Sequence, residues 1–291
     1  MEQFRVGTRG SRLAMTQTTT VAQALSDSSG LGHELITVRT DGDILTGPLA
    51  QMGGTGVFAS ALRQALFDRT CDVAVHSLKD LPAKDLDGLS IAAVPVREDV
   101  RDALCSAGDA PLSALPDGAK VGTGSPRRAA QLLAARPDLQ IVDIRGNVGT
   151  RLARVRGREE AGEVSTQAPD AARGDLYRRR ARRRRPAPAR VGAPHLRAAG
   201  PGVMLPAPGQ GRSPWRSAPR RRRPAPLAMA LQAYDDAAAR LETTAERALL
   251  ARLNAGCSAP IGGLARFSED TDGPAVLQLR AWCAHRRLGR A

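Results

Sequence analysis

Aromatic residues make up only 3% of the 291-residue sequence. So few Trp, Tyr and Phe side chains disfavour a protein that stacks nucleic-acid bases on an aromatic platform. Hydrophobic residues still account for 42%, which is enough for buried cores built mostly of Ala, Leu and Val. The length predicts two or three domains.

The sequence also lacks a long apolar run and any paired-cysteine motif. No stretch near Met1 is apolar enough for a signal peptide or a membrane helix, so we expect a cytoplasmic protein with no membrane partner. The four cysteines, Cys71, Cys105, Cys257 and Cys283, form no C-x-x-C pair and have no histidine at zinc-site spacing. We therefore predict reduced thiols and no metal.

Acidic residues are missing from one basic part of the chain. Between Tyr177 and Arg223 there are 15 Arg and no Lys, Asp or Glu, and these arginines account for the whole formal charge of +14. The basicity is therefore local. It does not indicate a nucleic-acid partner for the protein as a whole.

Two Arg-rich segments, 157–202 and 212–226, lack the periodicity of helices and strands. Residues 178–185 contain seven Arg in eight positions, and Pro and Ala supply much of the remainder. We interpret both segments as products of a shifted reading frame and expect no packed element from 157–202. The alternative is a real, solvated basic insert that binds RNA. Sequencing the gene separates the two.

Outside these segments strands and helices alternate, which predicts an α/β fold. Ser11 and Ser125 are predicted helix N-caps, and Pro126 fits the first helical position. A charged connector, Arg97 to Asp102, suggests a domain boundary near 97. Predicted strands cover 4–7, 71–75, 89–96, 120–122 and 139–144, and predicted helices 57–67, 127–135 and 227–239.

Polar residues follow the predicted strand at 71–75. His76 to Pro82 (HSLKDLP) would emerge at the carboxyl end of this strand, where open α/β sheets bind ligands. Asp80 beside Lys79 is a candidate acid, base or cation stabiliser. The alternative is that Asp80 only caps a turn and His76 is a satisfied core residue.

The turn at 122–128 (GTGSPRR) is a candidate anion site. Its small residues let the backbone approach a ligand, and the helix N-terminus directs free N–H groups outward. Arg127 and Arg128 add forked donors that match carboxylates, and Arg145 and Arg151 are placed to join them. A ligand with several carboxylates fits this set.

Thr243 and Glu246 match a capping box, which predicts a helix over 245–254 with Gly256 as its C-cap. Cys257 would then lie on an accessible loop. The negative end of the helix dipole disfavours a thiolate there, so permanent attachment of a group suits Cys257 better than rapid nucleophilic turnover.

Seven motifs in this order resemble the porphobilinogen deaminase (hydroxymethylbilane synthase) family. They are TRGSRLA at 8–14, GGTGVF at 53–58, HSLKDLP at 76–82, GTGSPRR at 122–128, RGNVGTRL at 145–152, LPAPGQG at 205–211 and TAERALLARLNAGCSAPIG at 244–262.

The resemblance implies a transferase that joins four porphobilinogen molecules head to tail, with release of ammonia, in tetrapyrrole biosynthesis. Cys257 would hold a dipyrromethane cofactor through a thioether, and Asp80 would assist the loss of ammonia and stabilise the cationic intermediate. A monomer is expected. The acetate and propionate groups of cofactor and product chain would be bound by Arg9, Ser11, Lys79, Ser125, Arg127, Arg128, Arg145 and Arg151.

The family fold implies two periplasmic-binding-protein-like domains with the active cleft between them and a small α/β C-terminal domain. These would be 1–96 with 203–226 returning to it, 97–202, and 227–291, with the last sheet truncated. A first-domain strand expected after 211 is replaced by Arg-rich sequence, so we expect poor activity. The alternatives are an inactive frameshifted product and a ligand-binding module without chemistry.

Overall fold

A computed structural model describes ten stretches of the chain. These are residues 2–39, 59–84, 87–146, 148–155, 197–199, 204–211, 215–217, 224–256, 259–268 and 274–284. The chain forms two compact units, one of residues 1–100 and 206–282 and the other of residues 101–205 and 283–291. The predicted division into three domains stays a prediction.

Helices and strands alternate over most of the described chain, and the predicted α/β class is confirmed. The helices are α1 Arg12–Ser29, α2 Ser60–Phe67, α3 Pro126–Ala135, α4 Val148–Leu152, α5 Ala225–Ala233 and α6 Ala237–Arg252. The strands are β1 Gln3–Arg9, β2 Gly32–Val38, β3 Val73–Val75, β4 Ser90–Ala93, β5 Asp102–Leu104, β6 Lys120–Gly122, β7 Gln140–Val142, β8 Arg197–Ala199, β9 Trp215–Ser217, β10 Ile261–Ser268 and β11 Val276–Cys283.

The first unit is built on a five-stranded mixed sheet with the order β2-β1-β3-β9-β4. β1 runs parallel to β2 and β3, whereas β9 runs antiparallel to β3 and β4. On one face Phe4, Val6 and Val73 pack with Leu25 of α1 and Leu231 of α5. Ala74, one residue out of phase with Val73, packs on the other face with α2. Alternation along the strands thus builds two cores.

Gly7 of β1 permits the close approach of α2 and of the segment before β3. A Cβ at this position would lie 2.8 Å from Cys71 Sγ and 3.1 Å from Leu62 Cδ2. Both neighbours are buried. Any larger residue at position 7 would therefore force the second core apart.

The Arg-rich segments contain two strands, contrary to our prediction. β9, from 212–226, occupies the sheet position between β3 and β4, with Trp215 opposite both Val75 and Ala93. β8, from 157–202, pairs antiparallel with β5. The expectations of no packed element and of a missing first-domain strand were therefore wrong at these positions. The Arg-rich composition gives no strand pattern at these positions, and the two strands are defined by their pairing with β3, β4 and β5. Residues 156–196 lie outside the described residues.

The helix predicted over 227–239 is two helices, because the chain turns at 234–236. Asp236 caps α6, its side chain accepting a hydrogen bond of 2.6 Å from Ala239 N. Thr243 and Glu246 lie inside α6, so the predicted capping box was wrong. α6 ends at Arg252, and Asn254 adopts the left-handed conformation (φ 48°) that we expected at Gly256. Asn tolerates this conformation.

The second unit contains the β5–β8 pair, the parallel β6–β7 pair and α3. Its core is formed by Leu115, Ala119, Leu132, Leu139 and Met204. Ser125 caps α3 and Pro126 occupies its first turn, as predicted. This places the start of α3 directly after β6.

Candidate active site

A pocket in the first unit lies at the carboxyl ends of two neighbouring strands. Arg9 ends β1, and His76 follows β3. Because β1 and β3 are parallel, their carboxyl ends meet at one edge of the sheet, where such sheets bind ligands. The pocket lining includes Arg9, Gln17, Thr18, His76, Ser77 and Asp80.

Asp80 lies on a single 3₁₀ turn, Leu78–Asp80. The turn is closed by hydrogen bonds of 3.0 Å from Asp80 N to Ser77 O and from Leu81 N to Leu78 O. Leu78 and Leu81 are buried beneath it. Burial raises the pKa of Asp80, and the charges of Lys79 and Arg9 oppose this shift. The site therefore favours a carboxyl group that holds its proton more tightly than one in water.

His76 lines the pocket, is buried and stays neutral near pH 7. Burial, together with the charges of Arg216, Arg63 and Arg9, lowers its pKa to about 3. Its Nε2 has no hydrogen-bond partner within the described part of the chain. The alternative of a satisfied core histidine is thus correct for burial but not for hydrogen bonding.

Ser11 and Lys79 flank this pocket in the sequence. Ser11 caps α1, its Oγ accepting a hydrogen bond of 3.3 Å from Ala14 N. Lys79 sits beside Asp80 in the 3₁₀ turn. Carboxylate binding by either residue stays a prediction.

The cluster predicted at 122–128 lies in the second unit and contains an acidic residue that we did not anticipate. Asp102 of β5 accepts hydrogen bonds of 2.7 Å from Arg127 Nη1 and 2.7 Å from Arg128 Nη2. Arg127 also donates to Leu205 O at 2.6 Å, and its side chain is only 4% exposed. Arg128 remains 32% exposed. Of the two, Arg128 is the better placed to reach a ligand.

Arg145 and Arg151 complete this cluster of cations. Arg151 Nε donates a hydrogen bond of 2.8 Å to Gly146 O, and Arg145 Nε lies 3.5 Å from Asp143 Oδ2. The pKa of Arg151 is lowered by burial and then by the charges of Arg128 and Arg145. The charges of Arg128 and Arg145 thus act against the charge of Arg151, and a polyanionic ligand would relieve this repulsion.

Sequence reasoning missed residues at both clusters. Gln17 and Thr18 of α1 line the first pocket, and their spacing of three or four residues from Ala14 was a signal for one helix face. At 97–102 the sequence predicts a charged connector, yet the Arg97 and Asp102 side chains are each about 4% exposed. Their partners lie far away in sequence, so no local pattern marked them.

Two predicted elements lie outside the described residues. Cys257, the predicted attachment point, is one, and the Gly-rich motif at 53–58 is the other. In the described ranges no three His, Cys, Asp or Glu side chains are grouped so as to hold a metal ion. None of the helices described is both long and apolar enough to cross a membrane.

Two models of one protein family match this chain. The family model "Porphobilinogen deaminase, dipyromethane cofactor binding domain" matches residues 4–212. The model "Porphobilinogen deaminase, C-terminal domain" matches residues 240–286. Together they cover both clusters and the helix preceding Cys257.

Curated relatives agree over nearly the whole chain. The porphobilinogen deaminase of Micrococcus luteus is 50% identical over 98% of this chain and 78% of its own length. That of Cutibacterium acnes is 49% identical over 92% of this chain and 78% of its own. That of Leifsonia xyli subsp. xyli is 48% identical, over 91% and 76% respectively.

Similarity to solved structures is weaker. A periplasmic substrate-binding protein of an ABC transporter from Coxiella burnetii aligns with 82% of this chain and 94% of its own. The TM-score is 0.37 and the identity 16%.

Fold, site and relatives together define an α/β transferase of tetrapyrrole biosynthesis whose cofactor is dipyrromethane. The chain belongs to the porphobilinogen deaminase family. The prediction of a hydroxymethylbilane synthase is thereby confirmed over the alternative of a binding module without chemistry.

Proposed function

We propose that this chain condenses four porphobilinogen molecules with Asp80 as the catalytic carboxylate and a dipyrromethane primer attached through a thioether to Cys257. The observation that carries the proposal is the position of Asp80. This carboxyl group has a raised pKa and lines a pocket with Arg9 at the carboxyl ends of β1 and β3. A cytoplasmic monomer is part of the same proposal, and light scattering after gel filtration tests the oligomeric state.

The residues present fit a ligand that carries several carboxylates. Arg128, Arg145 and Arg151 lie close enough for their charges to interact, and Asp102 and Asp143 are the carboxylates beside them. When bound, dipyrromethane supplies the pyrrole primer onto which substrate units are added. Arg128, Arg145 and Arg151 of the second unit would hold carboxylate groups of the cofactor and of the growing product by paired hydrogen bonds. Carboxylate binding by Arg9 is a separate proposal, which rests on its place in the pocket with Asp80.

Asp80 is suited to both halves of a deamination. A carboxyl group whose pKa is raised by burial keeps a proton that it can donate to the departing amino group. Once ionised, the same group stabilises the positive charge that develops on the substrate carbon. The positive charges of Lys79 and Arg9 oppose the rise in pKa, because they favour the ionised form of Asp80.

The intact mass of the purified protein tests the proposed attachment of dipyrromethane to Cys257. The wild-type chain should carry the mass of one dipyrromethane, and Cys257→Ala should lack it. Cys283→Ala is the matched control, because Cys283 is an exposed free thiol on β11, and it should keep the increment. A soluble, folded wild-type protein without the increment, or an increment that Cys257→Ala retains, would contradict the proposal.

A further inference from the structure

A buried ion pair lies in the first unit beneath the loop 206–211. Arg97 Nη1 is 2.6 Å from Glu246 Oε1, and Arg97 Nη2 donates to Glu246 Oε2 at 3.0 Å. Their side chains are 4% and 0% exposed. Glu242, one turn earlier on α6, has a carboxylate oxygen 3.5 Å from the same Arg97 Nη1.

Glu246 also accepts two backbone hydrogen bonds. Gly209 N donates to Oε2 at 2.6 Å, and Ala265 N of β10 donates to Oε1 at 2.8 Å. Arg97 Nε donates to Gln210 O at 3.0 Å. Both members of the ion pair therefore bind the loop, Glu246 at Gly209 N and Arg97 at Gln210 O. A buried carboxylate with such donors is held in one position, because any displacement would leave a charge or an N–H group unsatisfied.

Gly209, which Glu246 holds by a hydrogen bond, packs on the 3₁₀ turn that carries Asp80. A Cβ on Gly209 would lie 2.9 Å from Leu78 Cγ and 3.2 Å from Lys79 N, so the backbone of the loop rests directly on the turn. The φ of Gly209 is 78°, a conformation that favours glycine. The chain of contact thus runs from Glu246 through Gly209 to the residue before Asp80.

We propose that Glu246 is a positioning residue for Asp80, acting through its hydrogen bond to Gly209. Gly209 packs on Leu78 and Lys79. By holding Gly209, the ion pair therefore fixes the position of the 3₁₀ turn and of the Asp80 carboxyl group that the turn carries. The inference rests on the proposed role of Asp80 in catalysis. Displacement of a reacting group by about 1 Å is enough to lower a rate about 100-fold.

The test compares Gly209→Ala with Gly30→Ala. Gly30 has nearly the same backbone conformation (φ 71°), but a Cβ there would meet no atom within 4 Å. Both variants carry the same kind of backbone strain, and only the first pushes on the turn. Gly209→Ala should speed hydrogen exchange at the Asp80 and Leu81 amides, which close the turn. It should also lower kcat about 10-fold to 100-fold with little change in KM.

A second pair of variants tests the carboxylate itself. Glu246→Gln weakens the acceptor for Gly209 N, whereas Glu242→Gln removes a carboxylate from the same arginine and the same helix. Glu242 Oε1 accepts its hydrogen bond from Phe267 N instead, at 3.2 Å. Faster exchange at Asp80 and Leu81 in Glu246→Gln, but not in Glu242→Gln, is expected.

Equal exchange at Asp80 and Leu81 in Gly209→Ala and Gly30→Ala would overturn the proposal, as would equal exchange in the two glutamate variants. Product formation by the wild-type chain is measured separately. If the wild-type chain forms no product, the proposed function fails, while the exchange comparison still decides the positioning role. If one glutamate variant does not fold, the glycine pair still tests the contact of Gly209 with the turn, and equal exchange in that pair overturns the proposal.

Discussion

At the scale of single residues, burial outweighs charge at the centre of the pocket. Lys79 and Arg9 both favour the ionised form of Asp80, yet the pKa of this carboxyl group is raised because desolvation is the larger effect. His76 obeys the same rule with the opposite sign, since burial disfavours its charged form. Burial thus favours the uncharged form of both side chains.

Asp80→Asn should therefore remove activity and add stability. Loss of a general acid typically lowers kcat about 10²-fold to 10⁴-fold. Burial raises the pKa of Asp80 in the folded protein above its ordinary value of 3.8. The wild-type protein therefore loses stability as pH rises from that value to the pKa of the folded state. The variant should be the more stable protein at pH 7 and should lose that advantage below about pH 4. Urea unfolding at both pH values measures this.

Asp68→Asn serves as the control for this prediction, because Asp68 is exposed at the end of α2. Its activity should match wild type, and its free energy of unfolding at pH 7 should differ from wild type by less than about 0.5 kcal/mol. An Asp80→Asn protein that is active, or less stable than wild type at pH 7, would contradict the account of the pocket.

At the scale of elements, the sequence correctly predicted helix starts where the capping residue lies directly before the helix. Ser11, Ser125 and Pro126 mark helix starts that the structure contains. The capping box at Thr243 failed because the true cap, Asp236, comes earlier and α6 runs through the motif. Thr243 Oγ1 instead bonds back to Ala239 O at 2.8 Å, which satisfies the hydroxyl inside the helix.

The cap of α6 gives a direct test. Asp236→Ala should destabilise the protein by about 0.5–2 kcal/mol, because Ala239 N loses its acceptor. Thr244→Ala, at an exposed site within α6, should change the free energy of unfolding by less than about 0.5 kcal/mol. Urea denaturation measures both. A larger loss of stability in Thr244→Ala than in Asp236→Ala would contradict the assignment of Asp236 as the cap of α6.

Strand β9 illustrates an element that only its neighbours define. Trp215 is 2% exposed and packs with Val73, Val75 and Ala93 in the first core. Trp215→Ala should therefore cost about 3–5 kcal/mol. Met229→Ala, at a residue 71% exposed on α5, should cost less than about 0.5 kcal/mol. Similar unfolding midpoints for the two variants would show that β9 is not part of the sheet.

At the scale of the whole molecule, each of the two units has its own hydrophobic core. Phe4, Leu25 and Trp215 lie in the first unit, and Leu115, Leu132 and Met204 lie in the second. A core defect in one unit should thus open that unit first, since local stability follows local packing.

Leu132→Ala should speed hydrogen exchange in β6 and β7 more than in β1 and β2, at a cost of about 2–5 kcal/mol. Leu132 is 7% exposed, whereas its neighbour Leu133 is 38% exposed. Leu133→Ala is the matched control and should change exchange little. Equal acceleration in all four strands would indicate a single cooperative unit.

The sequence by itself determined the α/β class, the family and two helix starts, because ordered motifs and caps are encoded by residues close together in the chain. Only the tertiary structure decided that Asp102 binds Arg127 and Arg128, that Trp215 completes a sheet, and that Glu246 holds Gly209 against the turn of Asp80. These partners are separated by 25 residues or more. Their pairing depends on which chain segments the topology brings together and buries, and burial is what makes a charged or polar partner obligatory.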